Sequence, residues 1–147
     1  MSTELNVYDS NEFSVTLGDI TVNSGRGGGT FHSLKPLGPD YVIQRGADGE
    51  ATASKTNNRG GTVELTVMQN SKAHRDLHAL RALGLASSNG AAVVPYQARD
   101  RLNGLRFEAE KAIVTERPAE DFGREAGERT WKIELAAYTV TDETAGA

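Results

Sequence analysis

The chain has 147 residues, no cysteine, and a formal net charge of −4 from sixteen Lys and Arg against twenty Asp and Glu. That length supports one domain with a core of its own, and the missing cysteines exclude disulfides and thiolate metal sites and fit a reducing cytoplasm. A mildly acidic chain is a poor general binder of nucleic acid, no apolar run approaches the ~20 residues of a membrane span, and the opening Met-Ser-Thr-Glu-Leu-Asn lacks the basic and apolar regions of a signal peptide.

The first strand is expected over Phe13 to Leu17, where Phe13, Val15 and Leu17 share one face. Gly18-Asp19 then turns the chain into Ile20 to Val22, as a tight hairpin or a kinked strand. Gly25 to Gly29 reads as a flexible break. Thr30 to Leu34 is the next strand, stopped by Pro36 and Pro39, and Tyr41 to Arg45 follows. Gly46 to Gly61 is a polar segment with no periodicity, expected as a long loop.

Thr62 to Gln69 carries the clearest alternation, with Val63, Leu65 and Val67 on one side. The period then changes to 3.6. Ser71 or Asn70 is placed to cap a helix running to about Leu83, with Ala73, Leu77, Leu80 and Leu83 or Gly84 as its apolar stripe and Gly84 as its stop. Three strands complete the chain. Ala91 to Ala98 comes after a Ser-Ser-Asn-Gly turn. Leu105 to Thr115, entered through Asn103-Gly104, puts Leu105, Phe107, Ala109 and Ile113 on one face. Thr130 to Thr141 turns Trp131, Ile133, Leu135 and Ala137 inward, after a second polar loop at Glu116 to Arg129. The tail from Asp142 is expected to be loose. The pattern is mainly β: a sandwich or barrel of about seven strands flanked by one helix, as a single domain over residues 1–147.

No catalytic, cofactor or metal site stands out. His74 and His78 share a helix face but lack the glutamate of a zinc-protease helix, and they read as two solvated histidines. The Gly25 to Gly29 run lacks the Lys-Ser/Thr of a phosphate loop. Asp48-Gly49-Glu50 lacks the alternating oxygen ligands of a calcium loop. The acids Glu116, Glu120, Asp121, Glu125 and Glu128 alternate with Arg117, Arg124 and Arg129, which suits surface ion pairs or an intersubunit contact. Two long polar loops without chemistry suggest binding, and self-assembly is the simplest form of it.

Three segments then carry a resemblance: Val7 to Thr16; Gly46 to Glu50 followed by Asn57 to Gln69; and Glu116-Arg117-Pro118 with Phe122 to Trp131. In order and spacing the chain resembles the tail tube proteins of contractile-tailed bacteriophages, which are similar to the tube protein of type VI secretion. The resemblance implies a non-enzymatic virion protein, assembled in the bacterial host cytoplasm. Hexameric rings would stack into a hollow tube inside a sheath and above a baseplate, and double-stranded DNA would pass without specific binding. It implies no cofactor. A baseplate or tail-terminator ring protein of the same fold, or a type VI tube subunit, is the alternative. On this footing Asp48, Glu50, Lys55 and Arg59 are candidates for contacts between rings, and Glu64, Glu108, Glu110 and Glu134 for an acidic lumen.

Overall fold

The structure is a computed structural model and describes residues 8–22, 25–87, 90, 92–102 and 104–142. After a 3-10 turn at Ser10–Glu12 come β1 (Phe13–Leu17), β2 (Ile20–Val22), β3 (His32–Pro36), β4 (Tyr41–Arg45), β5 (Ala51–Lys55) and β6 (Gly61–Met68). Helix α1 (Lys72–Ala86) is followed by β7 (Val94–Asp100), β8 (Leu105–Glu116), β9 (Glu128–Leu135) and β10 (Tyr138–Asp142). The fold is mainly β with a flanking helix, as the sequence pattern implies, but with ten strands instead of about seven.

Eight strands form one antiparallel sheet in the order β2-β1-β7-β8-β9-β6-β3, with β10 joined to β8, while β4 and β5 form a ribbon of their own. Alternation explains the sheet's inner face. Val63, Leu65 and Val67 of β6 and Trp131, Ile133 and Leu135 of β9 are fully buried and meet in register, Leu65 opposite Trp131. Val15 and Leu17 of β1 and Tyr96 and Ala98 of β7 complete the same core. Each large side chain buried this way contributes about 1.5–3 kcal/mol.

The sheet curls until β3 faces β1 and β7 across the core. His32 on β3 packs against Phe13 of β1 and Tyr96 of β7, across the core from its own neighbours. The Gly25 to Gly29 run, expected as a flexible break, helps close the barrel instead. Gly27 N–H donates to Thr66 O at 3.0 Å and Met68 N–H to Gly25 O at 2.7 Å, with Arg26 bridged to Val67. The Arg26 guanidinium lies 4.4 Å over the Phe31 ring and donates to the main-chain oxygens of Ser10 and Phe13.

Gly18-Asp19 makes a two-residue hairpin between β1 and β2, Leu17 pairing with Ile20. Gly18 has φ +60 and an added Cβ would meet Val94 Cβ at 3.0 Å, so both conformation and space call for glycine.

Four expectations need correction. The segment from Gly46 to Gly61 is not one loop: Gly46–Glu50 is a turn and β5 then pairs back onto β4, Ile43 opposite Ala53. Helix α1, capped by Ser71 Oγ accepting from His74 N–H at 3.2 Å, runs past Gly84 to Ala86. Gly84 permits close packing, since a Cβ there would lie 2.7 Å from Ala92 Cβ; Leu83 is exposed and outside the buried stripe. On β8 a bulge intervenes: Tyr96 faces Ala109 and Val94 faces Ala112, so β8 has one residue extra. The inward set changes from odd to even numbers, Ala112 is buried, Val114 packs on the core, and Ile113 is turned out.

The last expected strand is two strands. β9 ends at Leu135 and β10 begins at Tyr138, leaving Ala137 exposed. Both nevertheless lie along β8 in one register, Leu135 opposite Ala112 and Tyr138 opposite Ala109. The Asn103 hairpin position, the Ser88-Asn89 turn, the expected strand start at Ala91 and the tail beyond Asp142 lie outside the described residues.

Candidate functional site

The β4–β5 ribbon is the most conspicuous surface feature. All ten of its strand residues are exposed. Tyr41, Ile43 and Arg45 line one face with Lys55, Ala53 and Ala51, while Val42 and Gln44 line the other with Ser54 and Thr52. Ile43 is 61 % exposed, although its chemistry is that of a core residue. The ribbon is clasped at its base, where Thr56 N–H donates to Asp40 O at 2.9 Å and Thr56 Oγ1 to Pro39 O at 2.6 Å. A two-stranded ribbon is marginal in water by itself, so this one is a projecting arm with unsatisfied apolar surface.

The four residues expected between rings divide over this arm. Asp48 and Glu50 sit at the tip, where Asp48 Oδ1 accepts from Glu50 N–H at 3.2 Å and is thereby committed to the turn. Lys55 and Arg59 sit at the base, about 16 Å away along five extended residues. With Arg45 at the tip and Asp40 at the base, the arm has a weakly acidic end and a weakly basic end.

The four lumen candidates occupy outward positions but do not form an acidic field. Glu64 stands opposite Lys132 and Ser33, and Glu134 between Thr62 and Ile113. Glu108 pairs with Arg106 Nε at 3.1 Å and accepts from Gln97 Nε2 at 3.3 Å. Glu110 is exposed beside the β8 bulge. Lys35, Lys132 and Arg106 alternate with the acids, so the outer face is mixed in charge. Among the described residues the sheet order ends at β2 and β3, and β10 pairs with β8 as its one strand neighbour, with Tyr138 N–H also donating to Arg59 O at 2.9 Å; edges of this kind can accept another chain.

A second cluster gathers under α1. The ligand atoms of His74, His78 and Glu120 lie within 4.8 Å of one another. Glu120 Oε1 accepts from His74 Nε2 at 2.8 Å and His78 Nε2 at 2.9 Å, and Oε2 from Arg129 Nε at 2.8 Å. Arg129 is only 4 % exposed. Its remaining N–H groups donate to Gln69 Oε1 and to the main-chain oxygens of Asp121 and Glu128. The hydrogen bond from His78 leads in holding the Glu120 carboxyl down to about 2, with Arg129 and His74 adding to it against the cost of desolvation. Burial pushes the His74 imidazole below its ordinary value, and Glu120 opposes that shift.

The helix pattern suggested a solvated His74, but it is buried against Trp131, whose Nε1–H donates to His74 Nδ1 at 3.0 Å. The buried Arg129 was legible in principle. Carrying the inward odd-numbered series Trp131, Ile133, Leu135 one step back arrives at it. Nothing local marks Glu120, which lies 42 residues from His78 in the chain.

No family model matches the sequence, and no curated protein does. Solved structures do match in fold. A chain of the anti-feeding prophage cap, the AFP tube terminating cap, superposes with TM-score 0.62 at 15 % identity over 97 % of this chain and 95 % of that one. A chain of the sheath/tube terminator of PVC, an extracellular contractile injection system in its extended state, gives TM-score 0.57 at 13 % identity over 95 % and 98 %. A chain of the PVC sheath-tube complex gives 0.58 at 12 % over 92 % of each. At these identities the likeness is one of fold.

Proposed function

We propose that this chain is a structural subunit of a contractile, tail-like injection particle, built to form rings with copies of itself. In the finer form of the reading, six copies close into a ring and the rings stack into the inner tube inside a sheath and above a baseplate, with DNA as cargo passing without specific contacts. The chain is then a particle component assembled in a bacterial cytoplasm, with no catalytic role and no cofactor. The observation that carries the proposal is the exposed β4–β5 arm on a barrel whose fold matches tube and terminator assemblies over nearly its whole length. Tyr41, Val42 and Ile43 bury their surface once a neighbouring copy covers the arm. The strand edges at the two ends of the sheet supply lateral contacts, and a head-to-tail contact that does not close extends into a filament.

A terminator ring is the second reading, favoured by two of the neighbours described above being named as terminators. It predicts single rings where the first predicts tubes.

Negative-stain microscopy and light scattering of the purified chain test both. Long hollow tubes support the tube subunit and isolated rings the terminator. A chain that stays monomeric at high concentration overturns the proposal. Excising residues 41–55 and joining Asp40 to Thr56 through two glycines exploits the clasp at the base. This variant should fold with barrel stability changed by less than about 1 kcal/mol and form neither rings nor tubes.

A further inference from the structure

His74, His78 and Glu120 converge as the ligands of a divalent metal would. The placement of hydrogens speaks against a metal. Trp131 Nε1 carries a hydrogen and can only donate, and it faces His74 Nδ1 at 3.0 Å. Nδ1 is therefore bare, and the neutral ring keeps its hydrogen on Nε2, the atom that faces Glu120 at 2.8 Å. A metal on Nε2 would require the hydrogen to move to Nδ1, setting two N–H groups against each other. Metal-bound histidines donate through their second nitrogen; this one accepts through it.

We infer that the cluster is a proton-held latch, in which His74 in its Nε2–H tautomer, His78 and Arg129 clamp Glu120 and so fix the 117–127 segment onto α1 and β9. Both oxygens of the Glu120 carboxylate are engaged. Glu120 Oε1 takes two imidazole hydrogens, Oε2 takes Arg129 Nε–H, and Arg129 also holds the main-chain oxygen of Asp121, the next residue along the segment. Gln69, just beyond β6, holds Arg129 in turn. The latch thus ties α1 and β9 directly, and the end of β6 through Arg129, to the segment that carries the carboxylate. It also sets where Phe122 stands. That ring is 79 % exposed and lies 5.6 Å from the Arg129 guanidinium, held out at a fixed place two residues from the clamped glutamate. His74, Arg129 and Gln69 act through Glu120 and are positioning residues.

Three measurements on the full chain test the latch. In the imidazole nitrogen NMR spectrum near neutral pH, His74 should show a bare Nδ1 and a protonated Nε2; the opposite tautomer overturns it. Glu120→Gln, with His78→Gln as a second variant should the first fail to fold, should speed amide exchange in 117–127 on the order of tenfold. Amides of β6 and β8 should keep their protection. Unchanged exchange, or a rise shared by β6 and β8, would show ordinary core support and sink the idea. Equimolar zinc should leave the thermal midpoint of the native chain unmoved. A zinc-dependent rise that disappears in His74→Gln makes the cluster a metal site and overturns the latch.

Discussion

Replacing His32 by glutamine should flatten the acid side of the stability profile. His32 sits half-buried between Phe13 and Tyr96, its Nε2 hydrogen-bonded to the Tyr96 hydroxyl. Burial pushes its pKa down from 6.5 to about 4. A depressed imidazole is neutral in the folded state and protonates more readily in the unfolded chain. Its contribution is therefore complete above pH 6.5 and is lost as pH falls from 6.5 towards 4. Linkage at 1.36 kcal/mol per unit gives a loss of about 2 kcal/mol by pH 5 and about 3 kcal/mol by pH 4. Urea unfolding of the native chain and of His32→Gln, at half-unit steps between pH 7.5 and 4, reads the difference directly. Carboxylates and the other histidines titrate in both proteins and cancel in the comparison. The variant should be less stable at pH 7.5, by about 1–2 kcal/mol for lost packing, and on acidification the two curves should converge and cross between about pH 6 and pH 5, the variant being the more stable by pH 4. Parallel curves would refute the reasoning, because they would place the protonation of His32 outside the folding equilibrium.

Trp131→Phe removes the donor to His74 Nδ1 and leaves a buried acceptor unpaired. Chemical denaturation should show a loss of about 2 kcal/mol, and zinc should then stabilise the variant while leaving the native chain alone. Gly18→Ala must hold φ +60 with a Cβ against Val94, and a thermal melt should report about 1–2 kcal/mol of destabilisation. Ile43→Ser lies on the exposed arm. It should leave the unfolding free energy within about 0.5 kcal/mol while weakening assembly seen by light scattering.

Alternation made the body of the barrel legible because one face of each strand is buried. β6 and β9 announce themselves through Val63, Leu65, Val67 and Trp131, Ile133, Leu135. β5 fails the same test for a physical reason. Ala51-Thr52-Ala53-Ser54-Lys55 is exposed on both faces, so no apolar period is imposed on it and it resembles a loop. The β8 bulge is equally silent, since one inserted residue exchanges the two faces without any unusual residue type. Glycine misled at Gly84, where the demand is for space against Ala92 and not for a helix end. The assembly candidates Asp48, Glu50, Lys55 and Arg59 were found near one another, but the turn and β5 divide them between tip and base. The Glu120 cluster needed the tertiary fold, because its partners come from positions 69, 74, 78 and 129.

The register that β9 and β10 share along β8, from Val114–Ile133 to Leu105–Asp142, has a mechanical meaning. A break between two strands ordinarily acts as a hinge, but here one twelve-residue strand is bonded to both sides of it, from Ala112–Leu135 to Ala109–Tyr138. β8 is a splint, and the gap at Ala136–Ala137 is a fixed corner. The outer edge of β10 therefore leaves the barrel at a set angle before any neighbour arrives. A contact made along it would lose little conformational freedom on forming, so stiffness in the free subunit becomes straightness in whatever is built from it.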